Sequence, residues 1–509
     1  METTASSRSA GVPPAVAGAS CPRPRGHASA LLDLGALALI TAAAALLRFH
    51  AITAKSFWFD EGVSVAVARL DWWNFVRILW RREANMSLYY LVLRPWLQFG
   101  QSEAFIRGLS VVFALAAVPA LYLLGRRLFD SRTGLIVAAL LSVNAYAVRY
   151  SQEARSYSLM LLLCVLSSLC FLKALESPSQ RNRLTYVLIS ALAVYAHFFS
   201  GLLVLAQWLA LRFLDRESIP EAPRKDWRWI ALAVSPVAIF VATTGAGPLR
   251  WVQRPGLKEL WDFALRLTGN AGPPLLVAYV LACGAALWPG LRQTVQRVSW
   301  DAWRYRFLLL WLFFPVLLTL AVSFARPLFL PRYFFFCLPA LLLLAAAGMA
   351  RLRSAWLLAP ALLIFVALSL RGTMSYYRQD FDLGRDDWRA ATQSVLSQAR
   401  PGDAVMFQIA MGRMPYEYYH SLLGAAGSPV VLYPHREERI TFLDFVEKPD
   451  LVQLERSVPQ YKRVWLVLSY AETPTGLDPT TQTMENLILR SHSHAQQVFQ
   501  HPDVVLYTR

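Results

Sequence analysis

The chain has 509 residues, 56% of them hydrophobic, and a formal net charge of +17. A soluble globular domain is about 45–50% apolar, so this composition argues against a soluble protein. The positive charge alone is typical of nucleic-acid binding. Here, however, Lys and Arg collect in short loops between apolar runs, as they do in the cytoplasmic loops of membrane proteins. The five cysteines show no spacing typical of a zinc site.

The N-terminal residues 1–28 are rich in Ala, Ser, Pro, Gly and Arg and are predicted to form a disordered cytoplasmic tail. The run Ala30–Leu47 is interpreted as a retained first membrane helix rather than a signal peptide, because it is long and no strong cleavage site follows. Ten further apolar runs predict a protein that crosses the bilayer about eleven times. They lie near residues 105–125, 133–148, 158–175, 184–196, 200–214, 228–246, 273–289, 306–324, 334–350 and 355–371.

Two features of these runs bear on topology. The region 184–214 is either two short spans or one bent span that breaks near His197. Basic loops at 126–132, 173–183, 212–228, 290–306 and 351–353 alternate with the others. The positive-inside rule places those loops in the cytoplasm. The N-terminus is then predicted inside and the C-terminus outside.

The first outer loop, about residues 49–104, contains two amphipathic segments that are too short to span. Asp71–Trp80 carries three tryptophans, and Met86–Phe99 is about 14 residues long. Tryptophan favours the headgroup region, and an amphipathic helix can lie in the interface plane. Both segments are therefore predicted to be interfacial helices.

The composition becomes mixed and polar after Arg371, and residues 372–509 contain no run long enough to span. Asp386–Gln398 has the pattern of a helix, whereas Ala404–Phe407, Arg463–Ser469 and Val504–Tyr507 have the pattern of short buried strands. Alternating helices and strands predict a small extracytoplasmic α/β domain. The chain is thus divided into 1–28, a membrane domain at 29–371, and this domain at 372–509.

The first outer loop also contains adjacent carboxylates, Asp60 and Glu61, among aromatic residues. Neighbours on a helix point about 100° apart, so one carboxylate can face a cavity while the other holds it from behind. Burial beside apolar rings would raise a carboxyl pKa and favour a general base. An ordinary solvated pair near a helix start is the alternative.

Three other outer segments carry candidate residues. Glu153 and Arg155 either pair with each other or form the polar floor of a cavity. Arg326 and Arg332 lie at the membrane surface, where arginine can bind phosphate bidentately; the phosphate is that of a lipid headgroup or of a polyprenyl-phosphate carrier. A lone histidine such as His197 is more often structural than catalytic. The absence of a Gly-rich phosphate motif argues against an ATP-driven pump and a sugar-nucleotide donor.

Together these motifs resemble the C-type glycosyltransferases, in particular the family 39 protein O-mannosyltransferases and the bacterial aminoarabinose transferases of lipid A. The resemblance covers roughly residues 30–371. It rests on Phe59–Glu61, Leu88–Tyr90, Gly125–Phe129, Tyr150–Tyr157, Tyr195–His197 and Pro331–Tyr333. One departure is Asn85-Met86-Ser87, where many relatives have His-Pro-Pro, so the contacts to donor or acceptor differ there.

The resemblance implies an α-helical polytopic fold in a bacterial inner membrane, with the active site at its outer surface and a polyprenyl-phosphate-linked sugar as donor. It makes Asp60 the base or orienter of the acceptor, supported by Glu61. Our candidates for the leaving phosphate are Arg332, with Arg326 and Tyr333 as helpers. The predicted cavity-lining residues are Tyr89, Glu153, Arg155, Tyr157 and His197.

The predicted function is a hexosyl or pentosyl transferase that inverts the anomeric centre. A divalent metal ion could assist between carboxylate and phosphate, although no ligand cluster requires one and no metal ligands are assigned. A transporter or flippase of lipid-linked sugars is one alternative, and a non-catalytic membrane scaffold is another. The sequence does not name the sugar or the acceptor, which is a protein, a lipid or a glycan.

Overall fold

A computed structural model gives the fold and describes residues 27–214, 225–244, 252–292, 300–382, 385–424, 427–434, 439–446, 448–469, 471–473 and 476–509. Most of the predicted tail, up to residue 26, lies outside the described residues, as do 215–224 and 293–299 of two predicted cytoplasmic loops. The contacts divide the chain into two compact units. Unit 1 contains residues up to 48 with 111–151 and 156–375, and unit 2 contains 49–110, 152–155 and 376–509.

Unit 1 is built from helices, most of them apolar. The helix Glu103–Leu128 begins in unit 2 and continues into unit 1, and Ala355–Arg378 runs from unit 1 into unit 2. The other helices of unit 1 are His27–Phe49, Ser131–Val143, Ala145–Ser151, Tyr157–Glu176, Gln180–Ala196, Ser200–Ala210, Asp226–Ala233, Ser235–Thr244, Leu257–Leu267, Pro273–Arg292, Trp300–Ser323 and Leu338–Met349.

All eleven predicted spans coincide with helices, but not all of these helices are long. Within the described residues, six helices are long and apolar enough to cross a membrane, and two bent helix pairs raise the number to eight. The remaining three predicted spans fall on Gln180–Ala196, on Ser200–Phe213 and on Pro273–Trp288, the apolar part of the helix Pro273–Arg292; each of these stretches has at most 17 residues. By length and composition the structure therefore supports six to eight spans, and the other three predicted spans are shorter helices.

The region 184–214 consists of two helices. The first ends at Ala196, and Ser200 begins the second. The break falls at His197, whose extended backbone (φ −165°, ψ 127°) ends the first helix. The predicted position of the break is thus the observed one.

Gly348 lies at a close approach of two helices in unit 1, Leu338–Met349 and Pro273–Arg292. A Cβ atom built on Gly348 would lie 1.8 Å from the carbonyl oxygen of Ala282. We expect Gly348→Ala to destabilise the protein by about 1–3 kcal/mol, because the helices must separate. Gly284→Ala is the matched control, since its Cβ would meet nothing within 4 Å and alanine is the better helix former.

Thermal unfolding of the purified protein in detergent measures this difference. A lower unfolding temperature for Gly348→Ala than for Gly284→Ala is the expected result. Equal unfolding temperatures would show that the helices tolerate a methyl group at this crossing.

Unit 2 starts with short helices, Phe59–Arg69, Trp72–Ile78 and Ser87–Trp96, and a π-helical turn, Leu79–Glu83. We call Phe59–Arg69, which carries Asp60 and Glu61, the acidic helix. The helices from Trp72 and from Ser87 have seven and ten residues. About 20 residues are needed to span a bilayer, so neither can cross. Trp72 and Trp73 are exposed, and the interfacial position of these helices stays a prediction.

The C-terminal part of unit 2 contains a mixed five-stranded sheet with the order β2-β1-β3-β7-β6. β1 is parallel to β2 and β3, whereas β7 is antiparallel to β3 and β6. The helices of this part are Trp388–Gln398, Arg413–Leu423, Leu451–Ser457 and Pro479–Leu489. The strands are Ala404–Phe407 (β1), Val430–Tyr433 (β2), Arg463–Leu468 (β3), Glu472–Thr473 (β4), Gly476–Leu477 (β5), His494–Phe499 (β6) and Asp503–Thr508 (β7).

The three strands predicted from the sequence are the central ones, β1, β3 and β7. Their side chains are largely buried, and strands covered on both faces are near-continuous apolar runs. The predicted helix at 386–398 begins at Trp388, after Asp387, whose side chain accepts a hydrogen bond from Ala390 N. The small α/β fold predicted for this part is therefore observed.

The acidic helix packs directly on the helix Arg413–Leu423 within unit 2. A Cβ atom built on Gly62 would lie 2.7 Å from the backbone nitrogen and Cα of Pro415. Tyr419 adds a polar contact, since its hydroxyl lies 2.6 Å from Phe57 N and accepts from it. The same hydroxyl donates to Glu103 Oε1 at 2.8 Å. Residues far apart in sequence thus fix the start of the acidic helix.

Candidate functional site

The acidic helix presents its two carboxylates differently. It begins at Phe59, so that Asp60 and Glu61 both lie in its first turn. The Glu61 carboxylate accepts a hydrogen bond from Trp58 N at 3.3 Å, which caps the helix. Successive side chains are rotated by about 100°, and Glu61 is fully buried while the Asp60 side chain is 23% exposed.

Glu61 is the buried anion of an ion cluster. Arg107 binds it with two parallel hydrogen bonds, Nε to Oε1 at 2.8 Å and Nη2 to Oε2 at 2.7 Å. Ala154 N donates to Oε1 at 2.9 Å and Arg385 Nη2 to Oε2 at 3.0 Å. A carboxylate that accepts this many hydrogen bonds is held in one orientation. Glu61 therefore fixes the start of the acidic helix, and its role in support of Asp60 stays a prediction.

Asp60 lies beside Arg155 at the accessible end of this cluster. Its Oδ2 is 3.5 Å from Arg155 Nη2. Arg155 Nη1 also contacts Asp60 O at 3.3 Å, Ser64 Oγ at 3.3 Å and Tyr90 OH at 3.4 Å. Arg155 therefore orients a carboxylate that keeps access to solvent.

Tyr90 and Glu83 extend this site and were not predicted from the sequence. The Tyr90 hydroxyl donates to Glu83 Oε2 at 2.9 Å. Burial raises the pKa of Tyr90 well above its usual value, and the Glu83 carboxylate raises it further, so the phenol stays protonated. Glu83 ends the π-helical turn Leu79–Glu83. Such turns are frequent at functional sites, but the sequence around Glu83 resembles a charged surface segment.

Tyr89 supports the site from within the protein. It is fully buried, and its hydroxyl lies 3.2 Å from Ser110 Oγ. Ser110 Oγ in turn donates to Arg155 O at 3.3 Å. Burial raises the pKa of Tyr89. The predicted cavity residue Tyr89 thus contacts the segment that carries Arg155 through Ser110.

Arg385 was also not predicted from the sequence. Its Nη1 lies 2.8 Å from Asp380 Oδ2 and 3.8 Å from Glu153 Oε1, and its Nη2 binds Glu61. Burial lowers the pKa of Arg385, but the carboxylates of Glu61, Asp380 and Glu153 raise it more, so that its pKa is raised. The predicted residues Asp60, Glu61, Tyr89, Glu153 and Arg155 are therefore brought together in unit 2 with two arginines, Arg107 and Arg385.

The other predicted residues form a second group, in unit 1. The ring of the fully buried His197 lies 4.9 Å from that of Tyr333 and 6.0 Å from that of Tyr157. Arg332, next to Tyr333, is half-buried, and Arg326 is exposed. His197 thus has the buried, packed environment of a structural histidine, and the proposed phosphate ligands stand beside an aromatic cluster.

Metal ligands are not grouped in the part of the chain that the structure describes. There, no set of three or more His, Cys, Asp or Glu side chains is placed to hold a metal ion. The cysteines among the described residues, Cys164, Cys170, Cys283 and Cys337, are free thiols. A divalent metal ion remains a prediction without assigned ligands.

The structure combines apolar helices, a carboxylate pair on a short helix after the first span, and a small C-terminal sheet. This combination defines the class of protein. The chain is a multi-pass membrane protein with the fold of the C-type glycosyltransferases. The resemblance seen in the sequence is confirmed at this level by the family match and by solved structures.

Residues 89–243 match the family described as dolichyl-phosphate-mannose-protein mannosyltransferase. The crystal structure of ArnT from Cupriavidus metallidurans bound to undecaprenyl phosphate is similar at a TM-score of 0.60 and 11% identity, over 93% of this chain and 98% of that chain. The apo ArnT structure matches equally, at 0.60 and 12%.

The oligosaccharyltransferase AglB from Archaeoglobus fulgidus, in complex with an inhibitory peptide and a dolichol-phosphate, is similar at a TM-score of 0.52 and 12% identity. This match covers 87% of this chain and 70% of that chain. No curated protein sequence matches significantly. At these identities the structures establish the fold.

Proposed function

We propose that this chain is a glycosyltransferase that moves a sugar from a polyprenyl-phosphate donor to an acceptor at the outer face of the membrane. The observation that carries the proposal is the unequal carboxylate pair, in which Asp60 keeps solvent access while Glu61 is buried between arginines. The fold supports it, since the similar ArnT and AglB structures contain undecaprenyl phosphate and a dolichol-phosphate.

The proposed reaction is a single displacement. The acceptor oxygen or nitrogen attacks the anomeric carbon, the bond from that carbon to the phosphate oxygen breaks, and polyprenyl phosphate leaves with the electron pair. The acceptor proton passes to the Asp60 carboxylate, which acts as general base or orienter. Attack from the face opposite the phosphate inverts the anomeric centre. Glu61 keeps the acidic helix in place and does not exchange a proton.

The donor phosphate is assigned to Arg332, with Tyr333 and Arg326 as helpers. Charge grows on the leaving phosphate as the glycosidic bond breaks, and a guanidinium can offset it through charge-assisted hydrogen bonds. Arg332 is half-buried beside the ring of Tyr333, which supports its choice over the exposed Arg326. The same three residues are the ones predicted from the sequence to bind the donor phosphate.

The proposed setting is a bacterial inner membrane, with the N-terminus in the cytoplasm and residues 372–509 outside. The acceptor is a protein, a lipid or a glycan, and the fold does not choose among them. The inhibitory peptide in the AglB structure is a ligand of AglB, and it does not identify the acceptor of this chain.

The test uses the purified full-length chain in proteoliposomes with polyprenyl-phosphate sugars, radiolabelled in the sugar, and a membrane extract as acceptor source. We expect labelled product and free polyprenyl phosphate in equal amounts with the wild type. Arg332→Gln should raise the KM for donor or lower the turnover by about 10- to 100-fold, as loss of a hydrogen bond to a charged group does. Arg353→Gln, at an exposed position that has no part in the assigned phosphate site, is the control.

Two outcomes would contradict the proposal. If the wild type releases no polyprenyl phosphate and makes no product, the chain is not a transferase for these donors. If the labelled donor crosses the bilayer with its glycosidic bond intact, a flippase is the better description.

A further inference from the structure

The C-terminal end of the helix Ala355–Arg378 and the residues after it contact the segment 49–104 at several points within unit 2. Lys55 Nζ donates to Tyr376 O at 2.8 Å, and Arg389 Nη2 donates to Thr53 O at 2.9 Å. Arg389 Nε also binds Glu103 Oε1 at 3.0 Å. These contacts join the two segments of chain at the edge of the site.

Arg385 differs from these contacts because it reaches Glu61 itself. Its Nη2 shares Glu61 Oε2 with Arg107. Nη2 also lies 3.4 Å from Ser56 O, just before the acidic helix, and the guanidinium lies 5.7 Å from the ring of Trp58. With only 11% of its side chain exposed, Arg385 is a second buried guanidinium on the Glu61 carboxylate.

Holding Glu61 fixes the direction in which Asp60 points. The two residues are neighbours in the first turn of the acidic helix. A rotation of this helix that moves Glu61 therefore also moves Asp60. Arg385 also contacts Asp380 at 2.8 Å and lies near the carboxylate of Glu153, two residues before Arg155. One guanidinium therefore joins the acidic helix, the segment that carries Arg155 and the chain after the last span.

We infer that Arg385 is a positioning residue, which acts through Glu61 to hold Asp60 in its reactive orientation. The inference rests on the proposed function, and it adds a role for the C-terminal residues. They contribute to the rate of the chemical step as well as to the fold of unit 2. A small misplacement of a reacting group is costly, since about 1 Å can lower a rate on the order of 100-fold.

The test compares Arg385→Gln and Arg385→Lys with the control Arg389→Gln. The control also removes a guanidinium that joins the C-terminal segment to the outer loop, but one that binds Glu103 rather than Glu61. We expect Arg385→Gln to lower kcat by about 10- to 100-fold with an unchanged KM for the polyprenyl-phosphate donor. Arg385→Lys should recover part of kcat, and Arg389→Gln should stay within a few-fold of the wild type.

Amide hydrogen exchange of the same full-length variants gives a readout independent of activity. In Arg385→Gln we expect faster exchange across Phe59–Arg69 and unchanged exchange across Tyr157–Glu176. If kcat and exchange in Arg385→Gln equal those of Arg389→Gln, the inference is wrong. It is also wrong if kcat and KM change together while exchange rises across both helices, since that marks general unfolding. If the wild type transfers no sugar, the proposed function fails, and exchange in Phe59–Arg69 alone decides whether Arg385 positions the helix.

Discussion

Asp60→Asn is expected to lower the turnover of sugar transfer by about 10²- to 10⁴-fold, the usual contribution of a positioned general acid or base. The amide keeps the size of the carboxylate but cannot accept the acceptor proton. Because the Asp60 side chain is partly exposed and its carboxylate lies 3.5 Å from Arg155 Nη2, the folded structure should tolerate the change. The measurement is the initial rate of labelled product formation, at matched protein levels and with donor in excess.

Asp71→Asn is the control for this experiment. Asp71 lies on the same outer loop, is exposed, and accepts hydrogen bonds from Trp73 N and Asn74 N at the start of the next helix. Asparagine serves this capping role about as well as aspartate, so the variant loses one carboxylate without losing the helix. Turnover by Asp60→Asn equal to that of Asp71→Asn would rule out Asp60 as the base.

The second large effect is expected on stability. Glu61→Gln should lower the free energy of unfolding by about 3–5 kcal/mol, since removing one partner of a buried ion pair leaves the other charge uncompensated. Here two buried guanidinium groups, Arg107 and Arg385, would face a neutral amide whose NH₂ group repels them. Thermal unfolding in detergent measures the loss, together with the yield of folded protein.

Glu455→Gln provides the comparison. Glu455 pairs with Arg490 in unit 2, and the two side chains are 48% and 68% exposed. Exposed pairs contribute about 0–1 kcal/mol, so the unfolding temperature should change little. Similar unfolding temperatures for the two variants would mean that the cluster around Glu61 does not stabilise the fold.

The two predictions separate the roles of neighbouring carboxylates. Asp60→Asn should be stable and inactive, whereas Glu61→Gln should be unstable. If Glu61→Gln folded normally and lost turnover to the same extent as Asp60→Asn, a direct part of Glu61 in proton transfer would replace the supporting role. The structure favours the first outcome, because Glu61 accepts hydrogen bonds from five donors and has no exposed surface.

Some of this architecture follows from the sequence alone. In a bilayer, the backbone N–H and C=O groups of a long apolar run find their hydrogen-bond partners within a helix. The membrane class and the helix positions are therefore local properties of the sequence. Strand β1, Ala404–Phe407, was predictable because all its side chains are buried, and such a strand is a continuous apolar run in the sequence. The edge strand His494–Phe499 was missed, since its polar and largely exposed residues carry no such pattern. The unequal surroundings of Asp60 and Glu61 also follow from helical geometry.

Only the tertiary structure decided which charges meet. Glu61 binds Arg107, 46 residues away, and Arg385, 324 residues away. Nothing in the periodicity of either segment marks these arginines, because an ion pair depends on distance in space and leaves no local signal. Tyr90 with Glu83 is a similar case, since the sequence around Glu83 looks like an ordinary charged surface. The sequence by itself thus determined the membrane fold and the position of the acidic pair. The packing of distant segments determined the partners of this pair. A buried carboxylate needs positively charged neighbours, and these can come from any segment that folds next to it.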